Sequence, residues 1–172
     1  MPEYLLFAFF LIFPAAMVFA GSMDLFTMTI PNRISIGMII GFLVAAPFSA
    51  LSLTAFLWHL AAGAAMLVVG ILMFSRGWLG GGDAKLLAAA SLWLGFERLF
   101  DYLLYVAMAG GALAFLILLY RSLAPPVWLF NQEWAMRLHA RSGGIPYGIA
   151  IAAGGLCVYP STVWFTRSCS CR

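Results

Sequence analysis

Two aspartates stand out among the few ionisable residues of this sequence. Asp24 ends the first apolar run, and Asp83 directly follows three glycines. Only six of the 172 residues are acidic, and an acid at the edge of an apolar segment is costly unless it has a function and a partner. Two carboxyl groups that share a site do not both ionise easily, so one keeps a proton while the other accepts a proton from water. The pair predicts acid–base catalysis with Asp24 and Asp83 as catalytic groups.

Each aspartate also has a structural interpretation. Asp83 stands where a helix would begin after the glycines, so its carboxylate is a good N-cap for backbone N–H groups. Asp24 could simply mark the point at which the first apolar run meets water. Convergence of both side chains on one place would favour the catalytic interpretation over these two.

The composition indicates what kind of fold must position the pair. Hydrophobic residues make up 65% of the chain and charged residues 9%, which is too little polar surface for a soluble domain. The lipid bilayer is therefore the expected solvent, and the length accommodates about six spanning helices. A net charge of +3 is too small and dispersed to indicate nucleic-acid binding. We expect one all-α, polytopic membrane domain over residues 1–172.

Apolar runs separated by proline, glycine or charged residues give the predicted membrane helices. They cover about 4–23, 34–50, 54–74, 84–96, 99–120 and 145–165. The fourth is short, but irregular backbone at its glycine-rich entrance is tolerated where protein or water covers it. With this number of crossings, Asp24 ends the first helix and Asp83 begins the fourth. Both carboxyl groups then reach the same edge of the membrane.

Basic residues indicate which side this edge faces. The loops on the side of the two aspartates carry Arg33, Arg76, Lys85, Arg121, Arg137 and Arg141. Because cytoplasmic loops are enriched in Lys and Arg, we expect this side to be cytoplasmic. Residues 121–144 are the longest polar stretch, which we predict to be a cytoplasmic loop containing a short amphipathic helix at the membrane interface.

Other polar and small residues have structural interpretations. His59 lies within a helix and has no acidic neighbour in sequence, so we interpret it as a buried, hydrogen-bonded histidine rather than a catalytic one. The three cysteines form no paired metal-binding motif, and we predict neither a metal nor a cofactor. Four glycines indicate close helix packing: Gly63, Gly70, Gly110 and Gly111.

Three short motifs follow one another along the chain. Ile-Pro-Asn at 30–32 comes shortly after Asp24, Gly-Gly-Gly-Asp at 80–83 continues with Ala84 and Lys85, and Pro-Tyr-Gly at 146–148 opens the last helix. In this order they resemble the type IV prepilin peptidases, membrane-embedded aspartic proteases with a GxGD motif. The resemblance covers nearly the whole chain. It implies that both aspartates are catalytic, with supporting or substrate-binding roles for Gly80, Gly82, Pro146, Tyr147 and Gly148.

Two further residues lie close enough in sequence to the aspartates to support the site. Lys85 lies two positions beyond Asp83 and could hold that carboxylate or bind substrate, while a lysine that snorkels to the interface is the alternative. Asn32 could position the first loop by hydrogen bonding, and an ordinary turn after Pro31 is the alternative.

The resemblance also implies a substrate and a location. Members of the family remove the short basic leader of a prepilin, just before its hydrophobic segment, at the bacterial inner membrane with the active site toward the cytoplasm. The implied partners are the prepilin, the bilayer and the pilus assembly system. Larger members carry an insert with CxxC motifs after the first helix and also methylate the new N-terminus. Here residues 24–33 form a tight loop without cysteine, so the chain resembles the minimal peptidases of tight-adherence (Flp-type) pili, and we expect no methyltransferase activity.

Two other classes of protein remain open from the residues alone. Buried acids in a small helical bundle also form proton or cation pathways in carriers and channels, although such acids are expected near the bilayer midplane rather than at one edge. A non-catalytic assembly subunit would explain the fold but not the pair of aspartates.

Overall fold

The computed structural model describes residues 3–49, 51–123, 132–140 and 144–165, with side chains from residue 11 onward. These residues form α-helices and short 3₁₀ turns without a β-strand, which confirms the all-α class. The helices are α1 (Glu3–Thr27), α2 (Asn32–Ala45), α3 (Leu53–Ser75), α4 (Gly81–Leu94), α5 (Leu99–Ser122), α6 (Glu133–His139) and α7 (Tyr147–Val158).

Each predicted membrane helix coincides with one of the helices α1 to α5 or α7. Asn32–Ser49, Leu53–Ser75 and Phe96–Ser122 are long and apolar enough to cross a membrane, and Leu11–Thr27 and Tyr147–Ser161 are shorter apolar helices. Large apolar side chains cover the outer surface of α3 and α5, as expected where lipid is the solvent. The number of crossings stays a prediction.

Helix α4 is the central element of the bundle, packed against α2, α3 and α7. Its fourteen residues span about 21 Å, less than the roughly 30 Å of a hydrocarbon core. From Leu86 to Leu94 every residue of α4 is buried, so protein rather than lipid surrounds the helix. This environment explains how a helix too short to cross the bilayer can still place Asp83 at one edge of the bundle.

Glycines allow close approach at three of the four predicted positions. A Cβ at Gly63 or Gly70 would stand 3.1 or 3.0 Å from side-chain atoms of α4, and one at Gly110 would stand 2.6 Å from the ring of Tyr147. At Gly111, no atom of the described residues lies within 4 Å of such a Cβ. The packing prediction for Gly111 is therefore wrong, because this residue follows Gly110 around the helix and faces outward.

An aromatic cluster closes the end of the bundle opposite the aspartates. Trp93 is fully buried, and its Nε1 donates to the carbonyl oxygen of Met38 at 2.9 Å. Trp164 Nε1 donates to the carbonyl oxygen of Trp93 at 2.6 Å. His59 is buried beside them, with Nδ1 2.8 Å from the carbonyl oxygen of Leu92, so it is a hydrogen-bonded core histidine as predicted. These bonds anchor the far end of α4 to α2, α3 and the C-terminal segment.

The polar stretch at 121–144 contains the short helix α6. Ala135 and Leu138 are buried, whereas Glu133 and Arg137 are exposed, which gives the helix one apolar face and one polar face. A short amphipathic helix is thus present as predicted, and its placement at a membrane interface stays a prediction. The predicted basic residue at 141 and the cysteines at 169 and 171 lie outside the described residues.

Candidate active site

Asp24 lies in the last turn of α1, where the side chain turns into the bundle. It is 5% exposed, and its Oδ2 accepts a hydrogen bond from the backbone N–H of Gly148 at 2.7 Å. Gly148 belongs to the first turn of α7, so the bond satisfies a helix N–H that has no partner within its own helix. A buried carboxyl held by a residue this distant in sequence does more than mark the water interface.

Asp83 is the third residue of α4, and the N-cap of that helix is Gly80. The sequence-based alternative of Asp83 as the N-cap is therefore wrong by three residues. The backbone N–H groups of Gly80 and Gly148 both act on the Asp83 carboxyl group. Its Oδ1 atom is buried and has no hydrogen-bond partner in the described part of the chain. Helix capping therefore does not account for both oxygens of the carboxyl group. The Oδ1 atom remains able to bind a further hydrogen-bonding group.

The two carboxyl groups meet at the N-terminus of α7. Gly148 interacts with both, and Asp24 is close enough to act electrostatically on Asp83. Because α4 and α7 both begin here, the positive ends of two helix dipoles point at the pair. These dipoles stabilise one negative charge, while repulsion between the carboxylates opposes a second. The site can therefore hold one charge and one proton, as activation of a water molecule requires.

Glycines make room for both carboxyl groups. A Cβ at Gly148 would stand 2.8 Å from Asp24 Oδ2, and a Cβ at Gly80 would stand 2.7 Å from Asp83 Oδ2. Both distances are well below ordinary van der Waals contact. The sequence predicted supporting roles for these glycines, and the structure shows that each lies directly against one of the aspartates.

A sequence model of the type IV leader peptidase family matches residues 11–119, which is more than half of the chain. The chain belongs to this family. The matched part includes Asp24 and Asp83 and ends before Pro146, so the start of α7 lies outside it. Neither a curated protein nor a solved structure matches the chain significantly.

Ile30 contacts the candidate site, although the sequence analysis used this residue only as part of a motif. It is buried between two of the glycines. A Cβ at Gly82 would stand 3.1 Å from the Ile30 Cβ, and a Cβ at Gly148 would stand 2.7 Å from the Ile30 Cδ1. Ile30 therefore joins the α1–α2 loop to the starts of α4 and α7. This explains physically why an apolar residue precedes Pro31.

Lys85 and Asn32, both predicted to support the site, contact each other. Lys85 Nζ donates to Asn32 Oδ1 at 2.9 Å. Two positions along a helix correspond to about 200° around its axis, so Lys85 points away from Asp83. Of the two predicted roles for Lys85, the hold on Asp83 is not found in the structure.

Pro146 and Tyr147 set the start of α7 in the peptidase. Pro146 is fully buried at the N-cap position. The half-buried Tyr147 lays its ring on Gly110 of α5 and is close enough to interact electrostatically with Asp83. The first two residues of the Pro-Tyr-Gly motif thus fix the start of α7. Its third residue, Gly148, directs its N–H toward the pair formed by Asp24 and Asp83, here called the dyad.

Arg121 and Arg137 hold α6 over the end of α1 that carries Asp24. Arg137 Nη1 donates to the carbonyl oxygen of Phe26 at 3.2 Å. Arg121 donates from Nε to the carbonyl oxygen of Leu138 at 2.8 Å and from Nη2 to that of Gly144 at 3.0 Å. Sequence reasoning used both arginines only as topology markers, because bonds to backbone carbonyls leave no signal in side-chain types.

No group of three or more His, Cys, Asp or Glu side chains suited to hold a metal ion occurs within the described ranges. The chemical groups at the described site are the two aspartates, the backbone N–H groups around them and the nearby Tyr147.

Proposed function

We propose that this member of the leader peptidase family is an aspartic endopeptidase that removes the leader peptide from Flp-like type IV prepilins, at the cytoplasmic side of the bacterial inner membrane. The observation that carries the proposal is the meeting of Asp24 and Asp83 at the Gly148 N–H. Neither aspartate needs the other for a purely structural role. A shared site for both is what acid–base catalysis on a peptide bond requires.

The chemistry assigns different charge states to the two carboxyl groups. Asp24 accepts a short hydrogen bond from Gly148, which favours its ionised form. Asp83 faces that charge, and its Oδ1 has no hydrogen-bond partner among the described residues. We therefore assign the shared proton to Asp83. The dyad still titrates as a unit, and the assignment describes its active state.

Hydrolysis then proceeds through a tetrahedral intermediate. Asp24 takes a proton from water as the water oxygen bonds to the scissile carbonyl carbon, and Asp83 donates its proton to the carbonyl oxygen. When the C–N bond breaks, Asp24 returns its proton to the leaving nitrogen. Asp83 regains a proton from the hydroxyl of the intermediate as the new carboxyl group forms. Both groups end as they began, so the cycle needs no cofactor.

The position of the dyad suits a substrate that is partly in the membrane. Asp24 ends α1 while Asp83 and Gly148 begin their helices, so all three lie at one edge of the bundle. Water reaches such an edge from the loop side, and the hydrophobic segment of a prepilin can remain in lipid. A proton or cation carrier would need acids that continue toward the midplane, whereas Asp24 and Asp83 both lie at one edge of the bundle.

The short α1–α2 connection supports the minimal, non-methylating type. It runs only from Met28 to Pro31, where the bifunctional relatives carry their insert. We expect the mature pilin N-terminus to leave the enzyme unmodified. Incubation with prepilin and S-adenosylmethionine, followed by mass spectrometry of the product, tests this, and a methyl group on the product would refute it.

Cleavage of a prepilin peptide by the purified protein in detergent tests the main proposal. Asp24→Asn and Asp83→Asn should each lower the rate on the order of 10²- to 10⁴-fold. The double variant should be little worse, because the two groups act as one unit. Asp101→Asn is the matched control, since Asp101 pairs with Arg98 at the other edge of the bundle and should be neutral. Near-normal cleavage by Asp83→Asn at wild-type levels of folded protein would refute the protease assignment.

A further inference from the structure

A cavity of about 390 Å³ opens on the side of the bundle between α2 and α3. Its rim consists of exposed apolar side chains, and its floor is the alanine-rich middle of α4. The lining includes Ile36, Ile39, Leu60, Leu67, Ala88 and Ala89. Because the rim lies on the outer, apolar surface of a membrane protein, the cavity opens toward lipid.

One end of this cavity is polar. Lys85 and Asn32 line it at the edge where α4 and α2 begin. Lys85 uses one N–H on Asn32, and none of the described carboxylates lies within ion-pair distance of its ammonium group, which has three N–H donors. Ser35 also lines the cavity; it is 4% exposed, and its Oγ has no hydrogen-bond partner within the described ranges. The cavity thus joins an apolar trough to a cationic, hydrogen-bonding end.

The cavity and the dyad lie on different sides of α4. Asp83 faces α7 through Gly148, whereas Lys85 faces α2 through Asn32. A molecule in the cavity therefore does not occupy the place of the scissile bond. Its polar end would nevertheless lie at the first turns of α4, close in sequence to Asp83.

We propose that this cavity binds an anionic phospholipid of the surrounding bilayer, with an acyl chain in the trough and the phosphate on Lys85. A lysine ammonium is a common phosphate ligand, and its long stem suits a position at the membrane surface. Each such cation adds to the attraction for anionic lipid. A zwitterionic headgroup brings its own cation close to Lys85 and is bound less well. The hydrophobic segment of a substrate is the poorer occupant, because the cavity faces away from the dyad.

Native mass spectrometry of the full chain in detergent tests the proposal, with phosphatidylglycerol and phosphatidylcholine as the added lipids. The wild type should retain phosphatidylglycerol in preference. Lys85→Met should lower that retention about fivefold, the effect of one cation near the surface. Ala64→Phe, which fills the cavity from an exposed position, should lower retention of both lipids. Arg76→Met is the matched control, because Arg76 stacks on Trp78 outside the cavity and should bind as the wild type does.

A second readout uses the fact that Lys85 is the only lysine of the sequence. Reductive methylation with ¹³C keeps the positive charge and gives one lysine signal in NMR spectra. Phosphatidylglycerol should shift this signal, and phosphatidylcholine should not. Equal retention of the two lipids, an unchanged result for Lys85→Met, or displacement of the lipid by a prepilin peptide would each overturn the proposal. The last result would make the cavity a substrate path instead.

Discussion

Gly148→Ala perturbs the site without removing a catalytic group. The added Cβ would stand 2.7 Å from Ile30 Cδ1, 2.8 Å from Asp24 Oδ2 and 3.0 Å from Asp24 Cβ. Carbon atoms in contact normally stay at least about 3.5 Å apart, so either α7 or its neighbours must move by roughly 0.8 Å. The substitution therefore displaces the Asp24 carboxyl group or the N–H that holds it.

The size of the effect follows from two known costs. Overpacking of a tight site destabilises by about 1–3 kcal/mol. A displacement of about 1 Å in a catalytic constellation can lower the rate on the order of 10²-fold. We expect a fall in kcat/KM between about tenfold and 100-fold, with a modest loss of thermal stability. The loss of activity should exceed what the unfolded fraction explains, because the folded site itself is distorted.

Two companion variants separate packing from catalytic geometry. Gly111→Ala adds the same methyl group at a position where no described residue lies within 4 Å, and it should keep full activity with equal or higher stability. Ile30→Val combined with Gly148→Ala removes Cδ1, the nearest clashing atom, and leaves the clash with Asp24. This double variant should regain stability while its cleavage rate stays low. Wild-type kcat/KM for Gly148→Ala in detergent would refute the close contact between the glycine and the dyad.

The remaining predictions concern the dyad, the helix α6 that packs near it, and the orientation of the protein in the membrane. The profile of kcat/KM against pH should be bell-shaped, because the dyad fails when both carboxyls are protonated and when both are ionised; a flat profile would contradict a shared proton. Arg137→Met should lower kcat/KM while Arg98→Met leaves it unchanged, because Arg137 donates to the end of α1 and Arg98 pairs with Asp101 at the other edge; equal rates would show that the Arg137 bond does not support the site. A cysteine placed at Glu133 should resist an impermeant thiol reagent in intact cells, and labelling there would reverse the proposed orientation.

The sequence predicted the helices well because their physical cause is local. Long apolar runs ended by proline, glycine or charge were enough to place α1 to α5 and α7. The short α4 was also predicted, at about 84–96, although the helix begins at Gly81 and ends at Leu94, so two of the three glycines lie in its first turn. The packing of Gly111 could not be predicted, because apolar residues surround α5 on all sides and its sequence contains no sign of which face meets α7.

The site was predictable in its acids but not in its contacts. Asp24 and Asp83 stand out because carboxyl groups are rare in such a chain. The N–H of Gly148 does not stand out, since every residue except proline carries that group. For the same reason the bonds of Arg121 and Arg137 to carbonyl oxygens were missed. The direction of Lys85 was in principle predictable, because two positions on a helix cannot face the same side.

The groups that stabilise negative charge on Asp24 and Asp83 matter as much as the two carboxyl groups themselves. The described groups that act on Asp83 are the N–H groups of Gly80 and Gly148, the carboxyl group of Asp24 and the nearby phenol of Tyr147, without a basic side chain among them. A neighbouring lysine or arginine would favour ionisation of both carboxyl groups and so remove the proton that one of them must donate. Helix N-termini carry only about half a charge each, enough to favour one carboxylate over none. Fixed partial charges at the starts of α4 and α7 thus suit the proposed sharing of a single proton between the two acids, and a lysine that faced Asp83 would work against it.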